Sequence, residues 1–514
     1  KIIDKAIKNS EISDFSISKV RLYFEKASNL KNRNMLDKSY EAFLKAEKNL
    51  SKVNIQWKSL QLSLAELESL MDKGDNADQR LKRFSILSGI SDEEKTASLL
   101  IKTKIELLRI SKLKNPSADD TYLFEKLFSE SMNYFIKNTD FIPVFKMKGL
   151  LFEILDAFIN YKMHTGNHAD ALMYADFKKH ITARAYLKKV PESPANIQAV
   201  NIESQLLLSA ENPQIILNRL YKKIPIEIIQ KKLTGDSVII YNIRNGNNIF
   251  SWIIGNNFKM ALVIDNGYER LKPVLDSYEE KISSLKNTYA ESKALSEVFA
   301  PLEPFYKTKK TIYFITDNDL EKVPYEIMGS KVFLDESHKI YYISSLLSAV
   351  NPVKKSGGKI NLISGDCSDL FCDLEKTAIS ESRFKLSTDG SICHLMSNIV
   401  YDPVNMSISI SRIDFFNAIK FSDFIYTSSE ALKTVGYSNF SLFASARGAG
   451  SIVISDPKVR DINSGLFADM FYKNLSIGQN VIASFENAKI YLKSKKEFRH
   501  PAYWAAIRLY LNGL

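Results

Sequence analysis

The sequence predicts an all-α helical-repeat region followed by an α/β domain whose mainly parallel sheet is flanked by helices. Three observations lead to this. Through the first 229 residues apolar side chains recur every three or four positions, and no proline appears before Pro116. From about residue 235 the period changes, and short runs rich in Val, Ile, Phe and Tyr alternate with helical stretches. Such alternation makes a parallel sheet covered on both faces. The expected domains are therefore 1–229 and 235–514.

At 514 residues the chain is long enough for two cores, and 45% hydrophobic with 25% charged residues is the balance of a globular protein. No run of about 18 apolar residues occurs, so no membrane span is expected. The start, Lys1-Ile-Ile-Asp4, has no signal-peptide layout. Because residue 1 is not Met, the chain is expected to be processed or truncated. A cytoplasmic location is favoured, with an exported or cell-envelope one as the alternative if a leader preceded Lys1. The net charge of +11 comes mostly from lysines scattered among Glu, Asp and Asn. No basic block interleaved with aromatics appears, so an acidic protein partner or plain solubility is expected before nucleic acid. Cys367, Cys372 and Cys393 make no metal spacing and leave an odd thiol, which leans away from a disulfide framework. No cofactor and no metal are expected.

In the first region the runs Leu60-Leu62-Leu64-Leu67-Leu70 and Leu99-Leu100-Ile105-Leu107-Leu108 carry the helical period. Two segments look like copies of one helix-turn-helix unit, Asp37–Ala46 with Ala42 and Ala46, and Gly166–Ala175 with Ala171 and Ala175. Alanines four apart let a neighbouring helix approach closely. This spacing resembles tetratricopeptide (TPR) repeats without a strict 34-residue period, and the resemblance implies a TPR-like helical solenoid that binds proteins. His164, His168 and His180 lie in or beside the second unit and read as surface histidines rather than metal ligands. Pro191 and Pro194 mark a break before further helix to Ile229.

The second region opens with Val238–Ile243 and Ile249–Ile254 around Asn245-Gly246, a hairpin signal, and a third strand at Met260–Ile264. One long amphipathic helix is expected over 268–298, with Leu271, Leu275, Tyr278, Ile282 and Leu285 on one face. Further strands are expected at Thr311–Ile315, Ile340–Ile343, Lys359–Ile363, Ile392–Ser397, Phe424–Thr427 and Ile452–Ile454. A small-residue helix precedes the last strand, over Phe443–Gly450. Helices Phe467–Leu475 and Asn480–Leu492, separated by Gly478, close the domain.

Several of these segments together resemble CHAT domains, the caspase-like peptidase family found behind TPR repeats. Asp317–Met328 with Leu320, Pro324 and Met328 is similar to one family element, and Tyr341–Leu346 to another. Ala444–Val459 matches at Gly448, Ala449, Gly450 and Val459, and then at Asp461, with Asp456 in place of the usual Trp. Phe467–Leu475 and Pro501–Gly513 resemble the two C-terminal signatures, and Trp252 the opening meander. The resemblance implies a catalytic His after one strand and a Cys after the next. Here those places read His394-Leu-Met-Ser-Asn398-Ile399 and Thr427-Ser-Ser429-Glu430-Ala431. The catalytic His is Asn398 and the nucleophile is Ser429; His394, Ser428 and Glu430 would line a vestigial cleft.

An Asn amide is no base near neutral pH, and a Ser hydroxyl without a base is a poor nucleophile. His394 and Asn398 share a strand face but stand about 13 Å apart, far beyond hydrogen-bond reach, so His394 is no substitute base. Cys393 alternates onto the other face. The expected function is a non-catalytic scaffold, a subunit of a larger assembly binding protein partners through the solenoid and the cleft. The alternative is a peptidase with a non-standard or partner-completed site.

Overall fold

The computed structural model describes residues 16–32, 35–51, 64, 144–187, 226–317, 319–329, 332–350, 360–363, 392–395, 399–402, 407–410, 413–414, 424–428, 437–446, 449–455 and 462–514. The Leu99–Leu108 run, Pro191, Pro194, Cys367 and Cys372 fall outside these residues, as do all of Leu60–Leu70 except Leu64. The described elements divide between two units. Helices α1 (Ser16–Asn32), α2 (Leu36–Ser51) and α3 (Val144–His164) belong to one; α4 (His168–Leu187) and everything from α5 (Ile226–Lys232) onward belong to the other.

In the first unit α1 and α2 pack through small residues. Ala27, Ala42 and Ala46 are buried with Val20, Phe43 and Leu64, and Phe24 meets Phe43 edge-on at 5.2 Å. The Ser39 hydroxyl donates to the Ala27 carbonyl at 2.7 Å, which a bulkier residue at 42 or 46 would pry apart. On α3 Ile154, Leu155, Phe158, Ile159, Tyr161, Lys162 and Met163 are buried. Among the described residues no helix is long and apolar enough to cross a membrane.

The second unit is built on β1 (Ser237–Asn245), β2 (Asn248–Gly255) and β3 (Lys259–Ile264), then α6 (Gly267–Ser283) and α7 (Tyr289–Phe299). Next come β4 (Thr311–Thr316), β5 (Lys339–Ile343), β6 (Ile360–Ile363) and β7 (Ile392–Leu395). A small antiparallel sheet follows, of β8 (Ile399–Asp402), β9 (Ser407–Ile410) and β10 (Ile413–Asp414). After it come β11 (Phe424–Ser428), α8 (Tyr437–Ala446), β12 (Ser451–Ser455), α9 (Ile462–Ser476), α10 (Val481–Ser494) and β13 (Ile507–Leu511). The hairpin turn is as expected: Asn245 pairs with Asn248, and Gly246 supplies the left-handed φ of 61°.

The long helix expected over 268–298 is two. α6 ends at Ser283, and Leu285 sits beyond it with φ 52° and 52% exposed, not on the buried face. The Asn287 side chain accepts from the Tyr289 N–H and helps start α7. The helical period runs through the break because local caps, not hydrophobic spacing, stop a helix.

Ten strands form one sheet in the order β3-β2-β1-β4-β5-β13-β12-β11-β7-β6. The neighbours β1–β4, β4–β5 and β5–β13 are parallel, as are β12–β11, β11–β7 and β7–β6. The β1–β2 and β2–β3 meander is antiparallel, and so is the central junction β12–β13. That junction divides the sheet into two parallel sets running in opposite directions. The strand ends of β1, β4 and β5 therefore leave at one edge, and those of β11, β7 and β6 at the other. Strand β13, an apolar run with one Arg, was not among the expected strands, nor was the small β8–β10 sheet.

Candidate functional site

The strand pair that frames the expected site is present. β7 and β11 are parallel neighbours, with Ile392, Cys393, His394 and Leu395 level with Phe424, Ile425, Tyr426 and Thr427. The backbone thus places His394 beside Tyr426, within the sheet. Ser428 is the last residue of β11 and lies level with Ser455 of β12. Asn398, Ser429 and Glu430 lie outside the described residues.

The surroundings of β11 follow from its sequence. Phe424, Ile425, Tyr426 and Thr427 are wholly buried, as a central strand covered on both faces requires. Phe424 stacks on Phe471 of α9 with centroids 5.2 Å apart, and Tyr426 sits among Phe467, Phe471 and Tyr472. This aromatic layer fixes the strand's height and therefore where its end emerges. Two hydroxyls here, Thr427 Oγ1 and Ser455 Oγ, are buried and have no hydrogen-bond partner among the described residues. Each costs desolvation that nothing in this layer returns. At the start of β5 a charged cluster forms around Asp335, which takes Lys493 at 2.7 Å and Lys489 at 3.4 Å. The Lys493 ammonium lies 4.2 Å from the Trp504 ring centre.

The opposite edge, at the ends of β4 and β5, is closed by α4. The Asp176 carboxylate accepts the Leu346 N–H at 2.9 Å, and Lys179 donates to the Thr316 carbonyl at 2.6 Å. The Trp252 indole donates to the His168 carbonyl at 3.0 Å, and Lys179 stands 5.7 Å above the Tyr241 ring. Asp176 and Lys179 are both buried. Burial, with the Asp176 and Asp317 carboxylates nearby, pushes the Tyr241 hydroxyl well above its ordinary value. Asp317, just past β4, accepts the Arg244 and Leu320 N–H groups at 2.7 and 3.1 Å. Burial nevertheless raises its carboxyl to about 6, against the pull of Lys178 and those hydrogen bonds.

Arg508 of β13 holds the 317–328 segment to the sheet. Its guanidinium donates to the Glu321 carbonyl and, at 3.0 Å, to that of Val323. Its Nε lies 3.9 Å from a Glu326 oxygen that also accepts the Tyr342 hydroxyl at 3.0 Å. Ser251 donates to Asn242 at 2.7 Å, and Asn242 in turn to the Tyr325 hydroxyl at 3.2 Å. Most of these groups are tied into the fold, although Arg508 Nε and Glu326 Oε2 have no hydrogen-bond partner among the described residues. Ser337 Oγ does lie 2.8 Å from His338 Nδ1, but the two are adjacent in sequence and partly exposed, and the same Nδ1 is 3.3 Å from the Leu334 carbonyl. Among the described residues no third group is bonded to that contact to make it a nucleophile and base. Among the described residues no cluster of three or more His, Cys, Asp or Glu is gathered to hold a metal ion. His164 Nδ1 meets the Asn160 carbonyl of its own helix at 2.8 Å.

Asp176, Lys179, Asp317 and Arg508 were not singled out from sequence. The signal was present for three of them: Asp176 and Lys179, three apart, share a helix face. Arg508, alone in the apolar run Ile507–Leu511, was a charge that had to find a partner.

No family model matches the chain. Part of it is similar to the centrosomal protein of 70 kDa of Pongo abelii and to that of Macaca fascicularis. Each is 26% identical over 185 residues, a stretch that covers 32% of this chain and 29% of the relative. The chain therefore spans well under a third of the length of the curated relatives it matches, and the likeness assigns it to no family.

Proposed function

We propose that this chain is a non-catalytic interaction subunit: a TPR-like helical region joined to a degenerate CHAT-type domain, acting within a larger assembly of proteins. The observation that carries this is the pair Asn398 and Ser429. On the caspase-like resemblance these positions, following β7 and β11, hold the reactive His and Cys. The two strands are adjacent and parallel, and a dyad of this kind joins residues that follow two neighbouring strands. With Asn and Ser there, the proton acceptor and the thiolate are both gone.

His394 does not replace them. It lies inside β7 level with Tyr426, two residues short of Ser428 in register. The buried aromatic layer and the Arg508 brace, with its bonds to the Glu321 and Val323 carbonyls, support a domain kept for its shape. A concave face built from stacked helices suits a peptide or a protein partner.

The test uses an electrophilic peptide probe on the purified protein together with the proteins it co-purifies with. No Ser429-dependent labelling is expected. Labelling that disappears in Ser429→Ala would establish a partner-completed peptidase and overturn this reading. The double variant Asn398→His, Ser429→Cys should gain probe reactivity that neither single variant has. If it gains none, the caspase-like placement of these positions is wrong.

A further inference from the structure

We infer that β3 is a self-association surface, through which two copies of this chain pair edge to edge, antiparallel, about a two-fold axis at Leu262. The inference is independent of the cleft and of its lost dyad. β3 ends the ten-stranded sheet, and no strand of the described residues pairs with its outer side. An open edge presents a row of backbone donors and acceptors, and sheet proteins usually block it with a proline, a bulge or a central charge. The run Met260-Ala-Leu-Val-Ile264 has no proline and no charge, and Met260 and Val263 are 44% and 37% exposed. The strand is also held firm from behind, with all six of its residues paired to β2.

Symmetry chooses the register. Residues opposite each other in an antiparallel pair point to the same face, and a two-fold axis exchanges residue i with residue j. Hence i and j must lie on one face, and the axis must pass a residue that faces its own copy. With the axis at Leu262, Ala261 faces Val263 of the second copy, Met260 faces Ile264, and Lys259 faces Asp265. Apolar side chains then meet on both faces, and at each end Lys259 comes level with Asp265, the first residue of the turn that follows β3. Lys259 and Asp265 are both exposed, and among the described residues the ion pair of Lys259 is a 3.7 Å contact to the exposed Glu227. Moving the axis to Ala261 or Val263 loses both charge pairs and sets Lys259 against Val263, or Asp265 against Ala261. The charge pattern therefore fits a second copy of this strand, in one register.

So short a pairing buries less than a standard interface of about 1,200 Å², so dissociation constants of about 1–100 µM are expected. Sedimentation and light scattering on the full chain, from about 1 to about 200 µM, should show the mass rising from 58.5 kDa toward twice that. Leu262→Asp and Leu262→Lys each set like charges face to face at the axis, and each should weaken association at least about tenfold. An equimolar mixture of the two should associate again, since Asp then faces Lys. Circular dichroism shows that each variant is folded. Should either variant fail to fold, the exposed pair serves instead. Lys259→Asp should weaken association, and adding Asp265→Lys should restore it. Wild type remaining at monomer mass throughout would overturn the proposal. So would folded variants that associate like wild type, or complementary charges that fail to restore association.

Discussion

The two edges of the sheet in the second unit are built on different terms. At the ends of β4 and β5 the polar groups are paired: Asp176 with the Leu346 N–H, Lys179 with the Thr316 carbonyl, Asp317 with two N–H groups. Where β11 and β12 end, Thr427 and Ser455 bury hydroxyls that no described residue satisfies. A polar group that is buried and partnered locks the elements it joins. One that is buried and unpartnered is a cost carried for some other reason, or left from an earlier use. Buried atoms without a hydrogen-bond partner among the described residues occur on the β4–β5 side as well, at Glu326 Oε2 and Arg508 Nε, so the contrast lies in the backbone groups that Asp176 and Lys179 of α4 take up.

The comparison can be broken most severely by removing α4. A chain begun at residue 235, the domain start expected from sequence, loses Asp176 and Lys179 and uncovers the ends of β1, β4 and β5. We expect it to unfold without cooperativity and to bind a hydrophobic dye, whereas a chain begun at residue 168 melts as one transition. Equal melting curves would show that α4 is dispensable to the sheet.

A subtler break is in pH. The folded carboxyl of Asp317 sits at about 6, above its unfolded value near 3.8. The folded state therefore holds this proton more tightly, and stability falls as pH rises from about 4 to about 6, then levels off. The drop is of order 2–3 kcal/mol. In Asp317→Asn this component vanishes. The difference between the two unfolding free energies should therefore change across that window and nowhere above it; a flat difference would show the carboxyl to be solvated.

Asp176→Ala should lower stability by about 1–3 kcal/mol, read from the denaturant midpoint, because the Leu346 N–H is left buried without an acceptor. Thr427→Val is the smallest effect and the sharpest contrast. It keeps the shape and removes a hydroxyl that has no partner among the described residues, so the expected change is about zero to 1 kcal/mol of added stability. A loss of more than about 1 kcal/mol would mean that this hydroxyl is bonded after all, and that the two edges differ less than the geometry says.

Much of the fold was legible. The hairpin at Asn245-Gly246, its third strand and the alternation that follows are read from period and turn chemistry, and the structure places them within a residue or two. Small residues chosen for close helix approach, Ala42, Ala46, Ala171 and Ala175, are all buried. The split between α6 and α7 was missed because the apolar face runs straight through it to Leu285. The short strands β8–β10 were missed because two to four residues carry too little period to register. At the expected site, that positions 398 and 429 hold Asn and Ser is a matter of identity and needs no coordinates. The partnering of Asp176, Lys179 and Arg508 could not be read, since their partners lie 137 to 187 positions away.

By itself, then, the sequence determines most of the helices and strands and which of their faces are apolar. Each of these depends on residue identity and on spacing within a few turns. Only the tertiary structure decides that β13 enters between β5 and β12, that the sheet consequently runs in two directions, and that α4 joins the α/β unit. Local period reports which side of an element is buried but not what buries it. That is settled by the pairing and packing of segments far apart in the chain, where buried backbone and charged groups must all find partners at once.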